Sequence, residues 1–181
     1  ERLAHDVELV VAAPILEYSP LLTDSDLLEI IEAGIVEGGL SAVSRRSTVS
    51  DKVADAIVAA NDIPAVATLL ANPNAQIRED TLDQIINAAE QAEPLHEPLA
   101  GRPELSQGAI RRIAGFVSAA ILEVLRHEHR MDDETARTVT EAVRRRIKLE
   151  QSETIENSLT EKIARMAEAG PAGFEGGMTN H

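Results

Sequence analysis

The sequence predicts an all-α fold, a solenoid of short antiparallel helix pairs closed by a C-terminal helical cap, and three features carry that expectation. A phrase recurs: residues 40–50 are echoed by residues 66–76 and again by residues 97–106. Aligning Arg46, Asn72 and Arg102 gives a period of roughly 26 to 30 residues, the range in which pairs of helices stack side by side. The apolar share is 44%, and it is built from Ala, Leu, Ile and Val with only Tyr18, Phe116 and Phe174 as aromatics, a composition suited to closely packed helices. No stretch alternates apolar and polar residues as a half-buried strand would.

The elements follow in order. A first helix is expected from about residue 4 to residue 17, with Val7, Val10, Val11 and Leu16 on its apolar face and Pro14 kinking or restarting it. Thr23 and Asp26 have the spacing of a capping box, a hydroxyl and a carboxylate that satisfy each other's backbone amides. Leu27, Leu28, Ile31 and Ile35 follow at helical spacing, and Gly34, Gly38 and Gly39 loosen the end. Ser50 opens a helix through Val53, Ile57 and Ala60. Asn61 and Asp62 turn the chain, and Pro64 is tolerated in the first turn of the next helix, whose face is Val66, Leu69 and Leu70. Asn72-Pro73-Asn74 is a turn, and Ile77, Leu82, Ile85 and Ile86 line the helix after it. Leu95 and Leu99 make a short helix closed by Gly101-Arg102-Pro103. Ser106 then caps one longer helix carrying Ile110, Ile113, Val117, Ile121, Leu122 and Leu125. Within each repeat, a short apolar helix ends at a polar turn and a helix starter opens its successor.

Residues 1–130 are thus read as the repeat region. From Met131 the pattern changes: Asp132-Asp133 begins a charge-rich helix with Val139, Val143 and Ile147 spaced by four. A break near Gln151-Ser152 separates it from a second amphipathic stretch with Ile155, Leu159, Ile163 and Met166 on one face. Residues 131–169 therefore read as amphipathic helices that cap the array or pair with a partner, and residues 170–181, rich in Gly, as a flexible tail.

Composition limits the function. With 31 acidic against 17 basic residues the formal charge is −14, which repels a phosphate backbone, so nucleic acid is not an expected partner. Arg111-Arg112 and Arg144-Arg145-Arg146 with Lys148 are the nearest exceptions, and such basic runs on helices are usually solvated faces. The longest apolar run, residues 9–16, is broken by Pro14 and falls short of the roughly 20 residues of a membrane-spanning helix, so a membrane is not an expected partner either. Cysteine is absent, which excludes disulfides and thiolate metal sites and fits a reducing cytoplasm. The chain begins at Glu1 rather than Met, as a fragment of a longer protein would.

Few residues bear chemistry. His127-Glu128-His129 invites a metal site, but side chains at i and i+2 on a helix diverge, and no metal or other cofactor is expected. His5 and His96 stand apart from any nucleophile motif, and the glycines form no phosphate cradle. Arg46 and Arg102 are the candidate binding residues, since equivalent joints would align them along one edge of a stack. A guanidinium beside a helix end also binds the orphan carbonyls of the preceding helix, and this structural role is the first reading. The amide at Asn72 agrees with it, because a pure recognition role would not exchange charge for a turn-forming side chain.

Three phrases together, Ser19-Pro20-Leu21-Leu22-Thr23-Asp24-Ser25-Asp26-Leu27, Leu69-Leu70-Ala71-Asn72-Pro73-Asn74-Ala75-Gln76-Ile77 and Pro98-Leu99-Ala100-Gly101-Arg102-Pro103-Glu104-Leu105, resemble a family of uncharacterised bacterial proteins, mainly alphaproteobacterial, with HEAT-like helical repeats. The resemblance spans about residues 7–125. It implies a HEAT-like α-solenoid in a bacterial cytoplasm and transfers no catalytic residues. The functional expectation is a noncatalytic protein–protein interaction scaffold or regulatory adaptor whose partner is another protein, with homodimerisation through the C-terminal helices as a separate option. The alternative is a signalling relay in which His127 or His129 accepts a phosphoryl group.

Overall fold

Side chains that cap their own helices set most of the element boundaries. The computed structural model describes residues 11–35, 38–103 and 105–168, and the side chains of residues 166–168 are not among what it describes. Helix α1 is seen over residues 11–18, followed by α2 (Asp24–Glu32), α3 (Gly39–Ser44), α4 (Asp51–Ala59), α5 (Ile63–Ala71) and α6 (Glu79–Ala89). A 3-10 turn (Glu93–Leu95) runs into α7 (His96–Ala100), then come α8 (Gln107–Ala114), α9 (Ala119–Glu128) and α10 (Asp133–Glu168). Thr23, Ser50, Asp62, Ser106, Ser118 and Asp132 each accept a hydrogen bond from the amide three residues on, the N-cap arrangement that removes one orphan donor per helix. At α2 the box is complete: the Thr23 amide donates to Asp26 Oδ2 at 2.8 Å while the Asp26 amide donates back to Thr23 Oγ1 at 3.3 Å.

The chain is all-helical, and among the described residues the only extended pairing is one parallel bridge between Val49 and Ala75. Helices two places apart in sequence touch: α2 packs on α4, α4 on α6, α6 on α8 and α8 on α10, while α3 packs on α5, α5 on α7 and α7 on α9. Links between α4 and α5, and between α8 and α9, join the two series. Between them Val43, Ile57, Leu69, Leu70, Ile85, Ile86, Leu95, Leu99, Ile110, Ile113, Leu122 and Leu125 are fully buried. Each such Leu or Ile contributes about 1.5–3 kcal/mol relative to exposure. A core without large rings lets short helices approach closely.

Several expectations are corrected. The long helix expected after Ser106 is two helices, because α8 ends at Gly115 and Ser118 caps a new helix, its hydroxyl accepting from the Ile121 amide at 3.4 Å. The break expected near Gln151-Ser152 is absent: α10 runs unbroken for 36 residues, about 54 Å at 1.5 Å per residue. No Gly or Pro interrupts it, and Ser152 and Thr154 donate to carbonyls four residues back, at Lys148 and Glu150, so their hydroxyls stay within the helix. Helix α1 continues through Pro14, with Leu16 buried but Val11 63% exposed. Ile35 and Ile77 lie outside the helices they were expected to line. Two glycines have the left-handed backbone that a side chain resists, Gly34 (φ 89°) just past α2 and Gly38 (φ 84°) at the head of α3. Val7, Val10, the Met166 side chain and the tail at 170–181 fall outside the described residues.

Candidate functional site

The turn that follows each of α3, α5, α7 and α9 sends one side chain back to the carbonyl end of the preceding helix in that series. The Arg46 guanidinium donates from Nη1 to the Leu16 carbonyl at 2.5 Å and from Nη2 to that of Ser19 at 2.9 Å. Asn72 Nδ2 donates to the carbonyls of Ser44 and Arg46, both at 2.8 Å. Arg102 reaches three: Nη1 to Leu70 and Asn72 at 3.3 Å each, and Nη2 to Ala75 at 2.6 Å. These acceptors are the last carbonyls of α1, α3 and α5 and the turns beyond them, groups left without an intrahelical donor and carrying the negative end of the helix dipole. A guanidinium answers both needs, with several donors and a positive charge. Burial pushes the Arg102 guanidinium below its ordinary value. Arg46 and Arg102, the candidate binding residues, are thus held in equivalent places, each with its polar end on backbone.

A fourth rung was not read from the sequence. His129 lies 27 positions after Arg102, just past the end of α9, and its Nε2 is 2.7 Å from the Ala100 carbonyl, the last of α7. The interval was the available signal. Spacing alone does not mark His129, because imidazole resembles neither the guanidinium nor the amide of the earlier joints and the surrounding phrase is not repeated. Gln107 braces the same turn, donating from Nε2 to the Arg130 carbonyl at 3.0 Å and accepting from the Asp132 amide at 3.1 Å. His127 is separate: its Nδ1 is 2.8 Å from the Glu123 carbonyl of its own helix. The two histidines therefore do not converge, and among the described residues no three of His, Asp or Glu gather as a metal-ligating group.

The basic runs are also divided among partners. Arg111 donates to Thr135 Oγ1 on α10 at 2.9 Å, and Arg112 pairs with Asp83 and donates to Asn87 Oδ1 on α6 at 2.7 Å. Arg146 Nη2 lies 3.4 Å from the Gly115 carbonyl.

Where the end of α6, the 3-10 turn, the α8–α9 connection and α10 meet, the surface forms an open groove of about 450 Å³. Glu90 and Glu93 line one side, and Glu150 and Glu153 the other. Its apolar part is Phe116 and Leu149, with the His96 ring tilted 52° against Phe116 at a centroid distance of 5.2 Å. His96 is fixed by its Nε2 at 2.8 Å from the Ala89 carbonyl, and Glu150 accepts from the Ala119 amide at 3.4 Å. Four carboxylates against Arg146 leave the groove negative on a chain already at −14. It can take a cationic, partly apolar segment, since charges of one sign along a cleft raise the local concentration of the other. No local pattern marks it, because its walls lie far apart in the chain.

A family model described as "Uncharacterised protein conserved in bacteria (DUF2336)" matches residues 11–172. No curated protein and no solved structure matches the chain. No helix among the described residues is long and apolar enough to cross a membrane.

Proposed function

The chain belongs to the bacterial family DUF2336, and from that premise we propose that it is a noncatalytic interaction scaffold or adaptor, a HEAT-like α-solenoid working in the bacterial cytoplasm, that grips a cationic segment of another protein. The observation that carries this reading is the negative groove lined by Glu90, Glu93, Glu150 and Glu153 around Phe116 and Leu149. Aliphatic and aromatic surface beside carboxylates suits the stems and heads of Arg or Lys side chains. The joints support the same reading from the other direction: Arg46, Asn72, Arg102 and His129 spend their polar atoms on holding successive helices in register. Stacked helix pairs of this kind offer extended surfaces for peptides and domains.

Fluorescence anisotropy with an arginine-rich peptide tests the proposal. Saturable binding that weakens with added salt is expected, and Glu90→Lys with Glu93→Lys together should lower affinity by at least about 10-fold, since two attractions in the groove become repulsions. Glu29→Lys with Glu32→Lys, both exposed on α2 away from the groove, serves as the control for the same change in net charge. Equal losses from the control and the groove pair would count against the groove as the binding surface.

A further inference from the structure

The second half of α10 carries an apolar face that nothing among the described residues covers. Every side chain described from residue 151 to residue 165 is exposed, and Ile155, Leu159 and Ile163 are 60%, 53% and 66% exposed. At about 100° per residue these three fall within about 40° of one another's neighbour, a single stripe centred on Leu159. Val139 and Val143, which bury the first half of α10 against the body, lie about 200° and 160° away around the same axis. The stripe therefore faces away from the helix array.

The charges beside the stripe say what fits it. Glu156 lies about 60° to one side of Leu159 and Lys162 about 60° to the other, with Glu153 and Arg165 farther round on the same respective sides. One edge is acidic and the other basic. Two such helices related by a two-fold axis can run in either direction. When parallel, the acidic edge of each lies along the basic edge of the other; when antiparallel, acidic meets acidic and basic meets basic. Flanking charges of this kind select partner and orientation in paired helices. We propose that a second copy of this chain covers the stripe, the two overhanging halves of α10 running parallel with Leu159 against its counterpart. Nearer the body the same outward face presents Arg144, Arg145 and Lys148, so like charges oppose there and pairing stops near residue 150. The bodies then diverge, each with its acidic groove.

The test is sedimentation of the full chain over a range of concentrations, with single substitutions. A monomer–dimer equilibrium is expected, and Leu159→Asp should raise its dissociation constant at least about 30-fold, the loss typical of a central contact residue. Since Leu159 is exposed, circular dichroism should report an unchanged fold. Glu156→Lys should weaken the dimer, and Glu156→Lys combined with Lys162→Glu should restore it. Direction is read from Ser152→Cys in this cysteine-free chain, because Ser152 lies within about 20° of the Leu159 direction. A parallel pair sets position 152 against its own copy, so oxidation should give a disulfide-linked dimer, whereas an antiparallel pair sets it near position 166. A chain that stays monomeric at every concentration, a dimer indifferent to Leu159→Asp, or a dimer that Ser152→Cys leaves unlinked would each overturn the proposal.

Discussion

Arg102 shows what a charged side chain on an acidic protein can be for. Its guanidinium is partly buried and donates to three carbonyls from the preceding joint, so its removal strands acceptors in a desolvated place. We expect Arg102→Met to lower stability by about 1–3 kcal/mol, measured by urea unfolding. Arg102→Lys should recover only part of this, because one ammonium cannot span the acceptors that a planar fork reaches. The spacing of Arg46, Asn72 and Arg102 sets them in equivalent places along the sequence, and the nitrogens of all three lie on backbone carbonyls. His129 was not legible as the fourth member: its role depends on which carbonyl stands opposite, a fact of packing that its residue type does not encode.

At the scale of the helix, local chemistry is the better guide. The Thr23 hydroxyl and then its amide, both donating to Asp26, hold that carboxyl below the usual carboxylate range. A carboxyl depressed on folding stabilises α2 above the ordinary aspartate range, and the contribution is lost as pH falls through the lowered folded value. The Thr23 amide resonance should therefore titrate with a midpoint below that of an unperturbed aspartate, and Asp26→Asn should abolish the titration. Starts were read more reliably than stops. Thr23, Ser50 and Ser106 sit at the N-caps where the sequence puts them, since a cap needs only a residue and the amide three places on. The Gly115–Ser118 break was missed because the apolar spacing runs through it, from Ile113 to Val117 to Ile121, without losing helical period. The break imagined near Ser152 failed for the opposite reason: a change in which face is apolar resembles an interruption, although the backbone continues.

Across the described residues, the packed body ends before α10 does. The body closes where Val143 and Glu150 meet α8 and α9, so a chain ending after residue 150 should unfold at a temperature close to that of the full protein at low concentration, where dimerisation adds nothing. Calorimetry of the two forms checks this, and a large drop would mean that the overhang supports the body. The acidic groove belongs to this scale too. Glu90 and Glu153 are neighbours across it only because α6 and α10 converge beside the His96–Phe116 contact. By itself the sequence determined that the chain is helical, where most helices begin, and that a unit recurs, because capping, turn chemistry and apolar spacing act over a few residues. Only the tertiary structure decided which carbonyls the joints hold, which glutamates share a groove and which face of α10 is left bare, because each depends on how helices distant in sequence are rotated and set against one another, and no local interaction fixes that rotation.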